Sequence, residues 1–316
     1  MTRKLLAGPG WVKDTALYVV FLSVFGVFSG CGATPPPARP VDPYGERIGN
    51  CIVAPRGISE SLQARMVPIE GGAAVLGSTE AERAQARRDY GPGGDALFGD
   101  EAKVRRASVA PFRIDRTPVT NEAYRELVES CGTPPPSHEL LDEGTWEALR
   151  KRFGIPFSYA QIQGFLWDDG VPPRARNRHP VVLVTHDQAG LYCAWRGARL
   201  PSELEWERAA RGRQGRIYPW GDAYDPFRVN TAQRNEGDTL PVGTLTQGAS
   251  AEGVLDLGGN VYEWTSTPWP GSKDKMVVKG NAWTGRGGYG RGAARLAFAR
   301  DLRNVTLGFR CVADPL

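Results

Sequence analysis

Between Leu200 and Gly221 the sequence reads LPSELEWERAARGRQGRIYPWG, and this stretch constrains the fold more tightly than any other. Pro201 stands at a first-turn position, Ser202 can cap, and Glu203, Glu205 and Glu207 place negative charge where a helix dipole favours it. Leu204 and the run Trp206 to Ala210 supply a face for burial, and Gly212 stops the helix. The spacing predicts a short helix with an aromatic anchor.

The flanking chain does not repeat this pattern. MVPIEGGAAVLG, from Met66 to Gly77, reads as two short strands around a Gly-Gly turn, and Lys103 to Asp115 alternates like a strand. Glu80 to Arg88 is charged and helical in pattern, residues 89–100 form a Gly-rich loop, and Thr120 to Ser130 is a capped amphipathic helix. Residues 132–178 read as an insertion with a proline run, a helix from Leu141 to Phe153 and a polar loop. Loops of this kind often border a binding surface. After Pro219 helical periodicity disappears, and short apolar runs between Gly, Pro, Asn and Asp predict irregular β-structure held by buried Trp and Tyr.

The amino terminus reads as an address. Arg3, Lys4 and Lys13 form a basic region, Ala16 to Phe28 an apolar one, and VFSG precedes Cys31. The apolar run is shorter than the roughly 20 residues of a membrane-spanning helix. The arrangement resembles a bacterial lipoprotein signal over residues 1–30, with Cys31 as the lipidated residue and Gly32 favouring the outer membrane of a Gram-negative cell. A plain secretory signal or an uncleaved anchor are the alternatives. A proline-rich tether over residues 31–60 follows, leaving 61–316 as the globular domain. A formal net charge of +4 over 316 residues argues for no particular acidic partner and against nucleic acid. Export suits disulfides among Cys51, Cys131, Cys193 and Cys311, four free thiols being the other possibility.

Together, RLPSELEWERAARG with YPWG, FRIDRTPVTNEAYREL, HPVVLVTHDQAGLYCAW, LDLGGNVYEWTS, KGNAW and LGFRC resemble, in order, the motifs of the formylglycine-generating enzyme, or sulfatase-modifying factor, family over residues 65–313. The resemblance implies an α+β fold, C-type-lectin-like and low in regular secondary structure. It also implies a Cys193–Cys311 disulfide, with Cys51 and Cys131 left as the second pair. Enzymes of the family oxidise a sulfatase cysteine with copper held by two cysteines just after a GGS(W/Y) segment, thiolates being the soft ligands that Cu(I) needs. Here the corresponding segment is Lys279-Gly-Asn-Ala-Trp283, the positions that align with the thiolates fall near Gly285 and Gly290, no cysteine lies between Cys193 and Cys311, and Ala282 replaces the serine. No copper is therefore expected. Iron is not expected either, because His138, His179 and His186 do not have the spacing of a metal site. No P-loop, G-x-S-x-G elbow or H-E-x-x-H motif is present.

Two sets of site residues remain. The resemblance implies a structural calcium ion held by Asn260, Val261 and Glu263, with Asn230 and Asp238 at a second site, since hard oxygen ligands suit Ca²⁺. The alternative is that Asn260 and Glu263 bond loop backbone. Trp283, Arg286, Tyr289, Arg291 and Arg295, with Arg300 and Arg303 beyond, form an arginine-rich segment among glycines, fit to bind a carboxylate, sulfate or phosphate group. The alternative there is that the arginines are structural partners for Asp and Glu. The expected function is a membrane-anchored binding or assembly module for a peptide or glycan. An enzyme of the family working through a different site is the competing expectation.

Overall fold

The computed structural model describes residues 65–91, 98, 101–137 and 142–315. Cys31, Cys51, His138, the signal and the tether lie outside them. The described elements, in order, are β1 (Met66–Ile69), β2 (Gly72–Leu76), α1 (Glu80–Tyr90), β3 (Arg105–Val109), β4 (Phe112–Asp115), α2 (Asn121–Cys131), α3 (Glu143–Phe153), α4 (Tyr159–Gln163), α5 (His186–Trp195), α6 (Glu203–Arg211), β5 (Tyr262–Pro268), β6 (Lys275–Gly280), β7 (Arg295–Ala299), β8 (Leu307–Gly308) and β9 (Val312–Ala313). This is the expected α+β architecture, with every strand after the last helix apart from the first four. No helix among the described residues is long and apolar enough to cross a membrane.

Helix starts follow local chemistry closely. Thr79, Thr120, Asp142, Thr185 and Ser202 each accept a backbone N–H in the first turn of α1, α2, α3, α5 and α6. At α6 Glu205 reaches back to the Ser202 N–H, completing a capping box, so Pro201 lies just outside the helix rather than in its first turn. Gly212 ends α6 at φ 64°, a conformation that favours glycine.

Strand pairing differs from the expected hairpin. β1 and β2 flank Gly71 but do not pair with each other. β1 pairs with β4 and β2 with β3, giving sheets β1-β4-β9 and β2-β3. The run expected as one strand from Lys103 to Asp115 is split at Ala110-Pro111, where proline removes a ladder donor and lets the chain change sheets. A third sheet runs β7-β6-β5-β8, with β5 and β8 parallel.

Three apolar clusters hold these layers. The largest contains the Cys193–Cys311 disulfide, with Tyr124, Tyr192, Trp264 and Phe309 around it. A second lies between α6 and the first two sheets and is centred on Trp206. A third packs Trp146, Ile155, Phe157, Ile162 and Phe165 of the 132–178 insertion against Trp283 and Val305. The insertion is thus part of the core. Cys131 is disulfide-bonded as well, to a partner outside the described residues.

The charges of α6 depart most from expectation. Glu205, Glu207, Arg208 and Arg211 are all buried. Glu207 accepts from the Gly77 N–H, from Arg211 at 3.1 Å and from the buried Lys279 ammonium at 3.2 Å, while Arg211 reaches Glu82 at 2.6 Å. Buried charge persists only when paired in this way.

Candidate functional site: the segment after strand β6

β6 ends at Gly280 with φ 78°, and the chain turns sharply through Asn281. The Asn281 side chain staples that turn: its Oδ1 accepts from the Ala282 N–H at 2.9 Å, and its Nδ2 donates to the Arg286 carbonyl at 2.8 Å. A short 3-10 turn over Gly287–Gly290 follows, packed against α1, before the chain enters β7. The carbonyl of Gly285 accepts from the Ala232 N–H, and the Gly287 N–H donates to Gln233 Oε1 at 2.6 Å.

The expected open arginine cleft is corrected by this packing. Trp283 is buried under the insertion, its ring stacked on Phe165 with centroids 6.3 Å apart. Tyr289 is buried against Tyr90 and Phe98. Arg291 is 1% exposed: it is ion-paired with Glu101, donates to the Gly288 carbonyl at 3.1 Å and lies over the Phe98 ring. Arg295 sits 4.5 Å over the Trp269 ring and 3.4 Å from the Glu203 carboxylate. Farther on, Arg300 pairs with Asp187, and Arg303 donates to the Leu183 carbonyl and to Gln188. Arg286, 5.1 Å over Tyr90, keeps part of its surface open, as does Arg303. The guanidinium groups serve the fold, which is the alternative the sequence left open.

The glycines have a matching explanation. They do not leave N–H groups free for an anion; they let backbones touch. A Cβ at Gly290 would lie 2.7 Å from the Gly258 carbonyl oxygen, and one at Gly285 would collide with Asn281 Oδ1. Copper therefore does not fit these residues. A side chain at Gly290 would press on the Gly258 backbone and one at Gly285 would displace the Asn281 staple, and Cys193 and Cys311 are consumed by their disulfide. Asn281 was not singled out from the sequence. Its signal was an amide side chain where the family segment has its second glycine.

The calcium set is brought together only in part. Asn260 Oδ1 accepts from the Leu240 N–H and Asn230 Nδ2, its own Nδ2 donates to the Leu240 carbonyl, and Asn230 Nδ2 donates to the Asp238 carbonyl. These residues lock the 230–240 loop onto the 258–262 turn. The two carboxylates face guanidinium groups instead of an ion site. Asp238 holds Arg176 through both oxygens, at 2.9 and 2.7 Å. Glu263, fully buried, holds Arg310 through both oxygens at 2.7 Å and accepts from Trp206 Nε1 at 2.8 Å. Val261 packs in the third cluster. Asn230 Oδ1 is the one buried acceptor of the set left without a partner, far short of the six to eight oxygens of a calcium site. The described residues contain no group of three or more His, Cys, Asp or Glu able to hold a metal. The donor set does not fit calcium.

Beside this network lies Asp256, at φ 63°, whose carboxylate accepts from the Gly243 N–H at 2.7 Å. The residue is part-exposed, but its carboxyl group is enclosed, and that burial pushes its pKa up to about 6, with the nearby Arg310 opposing and Glu263 adding to the rise. A carboxyl group with a raised folded pKa stabilises the fold when protonated. Its contribution is complete below the ordinary value near 4 and is lost as pH rises through about 6. Asp256→Asn keeps an acceptor for Gly243 and removes the charge. Urea midpoints measured from pH 4 to 8 should therefore show the variant gaining on the parent as pH rises, and parallel curves would refute this.

The geometry can be set beside known proteins. Residues 56–315 match the model of the sulfatase-modifying factor enzyme 1-like domain. The chain belongs to the sulfatase-modifying factor family. Within that family it is 34% identical over 260 residues to the inactive C-alpha-formylglycine-generating enzyme 2 of Mus musculus, covering 71% of this chain and 84% of that one. It is 29% identical over 311 residues to the formylglycine-generating enzyme of Mycobacterium tuberculosis, covering 79% and 98%. The fold is also that of PvdO from Pseudomonas aeruginosa, at a TM-score of 0.61 and 22% identity, over 79% of this chain and 94% of that one. The sulfatase-modifying factor family thus contains both active and inactive relatives of this chain.

Proposed function

We propose that this member of the family is a non-oxidase binding or assembly module, held at a membrane by lipid on Cys31, that takes a peptide or glycan outside the cytoplasm. One observation carries the reading: no cysteine stands in the segment where the family's copper thiolates belong, and near Gly285 and Gly290 an added Cβ would meet the Asn281 side chain and the Gly258 carbonyl. The mouse relative described as inactive supports it. With Trp283, Tyr289 and Arg291 buried, the surface left for a ligand is the neighbouring loop. There Tyr224 lies against Gly287, next in sequence to the part-open Arg286, and Phe227, three residues after Tyr224, is 80% exposed. Aromatic faces with one cation suit stacking against a sugar ring or a peptide side chain.

The test is metal analysis of the purified chain together with a sulfatase-peptide oxidation assay. Neither stoichiometric copper nor formylglycine is expected, and finding both would overturn the proposal. Installing the pair, as Gly285→Cys with Gly290→Cys, should not restore activity. It should lower the melting temperature, because the Gly258 carbonyl is backbone and cannot swing aside. A double variant as stable as the parent that binds copper would count equally against it.

A further inference from the structure

The β2–β3 ribbon carries a surface that the ligand-binding reading does not use. Lys103, Val104, Arg105 and Arg106 are consecutive and all exposed, and Val104, at 44%, is one of three exposed large hydrophobic residues among the described ones. β3 pairs only with β2 among the described strands, so its outer edge is open. Arg106 stands opposite Val75, and Val75 lies against Gly215, which brings the neighbouring Arg216 to that face. Arg105, opposite the buried Leu76, leaves by the other face, so the cations flank the open edge on both sides. None of these four cations has an ion-pair partner among the described residues. The acidic groups on either side are already engaged: Glu80 holds Arg83 and Arg87, and Glu70 holds Arg213.

We propose that the Lys103–Arg106 edge, with Arg216, is a contact surface for anionic lipid headgroups, with Val104 entering the headgroup layer. The inference rests on the reading that the chain is held at a membrane. Two observations favour a bilayer over an acidic polypeptide. The cations are of one sign and without an ion-pair partner among the described residues, and an apolar side chain sits among them. Charges on a free strand edge also block pairing with other chains, but that purpose needs neither a single sign nor an exposed valine. Basic side chains around an apolar tip match the interface of an anionic leaflet. Lipid on Cys31 supplies proximity without fixing which face of the domain meets the bilayer. This face would fix the pose, turning the Tyr224–Phe227 loop to a set direction.

The experiment uses the full chain reconstituted into phosphatidylcholine vesicles with and without phosphatidylglycerol, carrying a fluorophore on Val104→Cys and quencher-labelled lipid. Quenching is expected to be severalfold stronger with phosphatidylglycerol and to fade in high salt. Arg105→Ser with Arg106→Ser should weaken the contact about tenfold or more. Neither arginine side chain bonds to the fold, so unchanged circular dichroism is expected. A chain found on the vesicles with its probe unquenched, or quenched equally without anionic lipid, overturns this contact and leaves the anchor standing. A chain absent from the vesicles overturns both. A probe that responds to polyglutamate but not to anionic vesicles makes the face an acidic-peptide surface and also refutes the proposal.

Discussion

Replacing Glu263 with glutamine is expected to cost about 3 to 5 kcal/mol of folding stability, the range for breaking a buried ion pair while leaving one charge behind. Both oxygens of Glu263 are held by Arg310, and neither side chain reaches solvent. The amide can still accept from Trp206 but cannot neutralise the guanidinium. In a domain of this size the loss corresponds to a melting point roughly 6 to 20 °C lower. The drop should be the same in calcium and in chelator, since a guanidinium stands where the ion was expected. A loss confined to calcium-containing buffer would reinstate the metal. Removing both charges, as Glu263→Leu with Arg310→Met, should recover little, because Arg310 also donates to the carbonyls of Asp115, Arg116 and Leu255. The Arg116 carbonyl would keep the Leu255 N–H, but the buried Asp115 and Leu255 carbonyls would lose this donor.

Changing Cys193 and Cys311 together to alanine is expected to cost about 4 to 5 kcal/mol on the chain-entropy argument, given a sequence separation of 118. Both sulfurs are fully buried. A reductant should therefore leave the folded protein intact at first and act only as molecules open. Equilibrium unfolding in urea, with and without reductant, reads this as a difference: the midpoint should fall further in reductant for the parent than for the double variant, which has only the Cys131 disulfide left to lose. An unchanged midpoint in the parent would mean that neighbouring contacts, among them the Cys311 N–H to Asp115 and the Asp115–Arg196 pair, hold the two segments by themselves.

Helix starts were legible in the sequence because the information is local. Ser202 and Glu205, or Thr120 and the amide three residues on, contain both partners within one turn. The disulfide was legible through the family resemblance alone. Strand partners were not, since β1 meets β4 across the whole of β2 and β3, and no short-range pattern encodes that choice. The arginines were misjudged for the same reason. Charge is visible in a sequence, but the partner is not: Arg291 finds Glu101 from 190 positions away, and Arg211 finds Glu82 from 129. An Arg-rich, Gly-rich segment therefore reads as an open anion cleft until the chain that covers it is in place. The 132–178 insertion reads as peripheral because its apolar residues are spread over two short helices and the turns beside them, yet they meet on Trp283.

The last few residues of the domain have a consequence for when it can fold. Arg310 holds Glu263, Cys311 is bonded to α5, and Val312 pairs with β4 at Ile114 and bridges to Arg199. β9 is the neighbour of a strand laid down two hundred positions earlier. A chain emerging amino terminus first from a ribosome or a translocation pore has its charged helix, its central strand and half of its disulfide waiting for partners that arrive at the end. Closure of the domain is postponed until β9 has emerged, and the elements laid down earlier stay unlocked up to that moment.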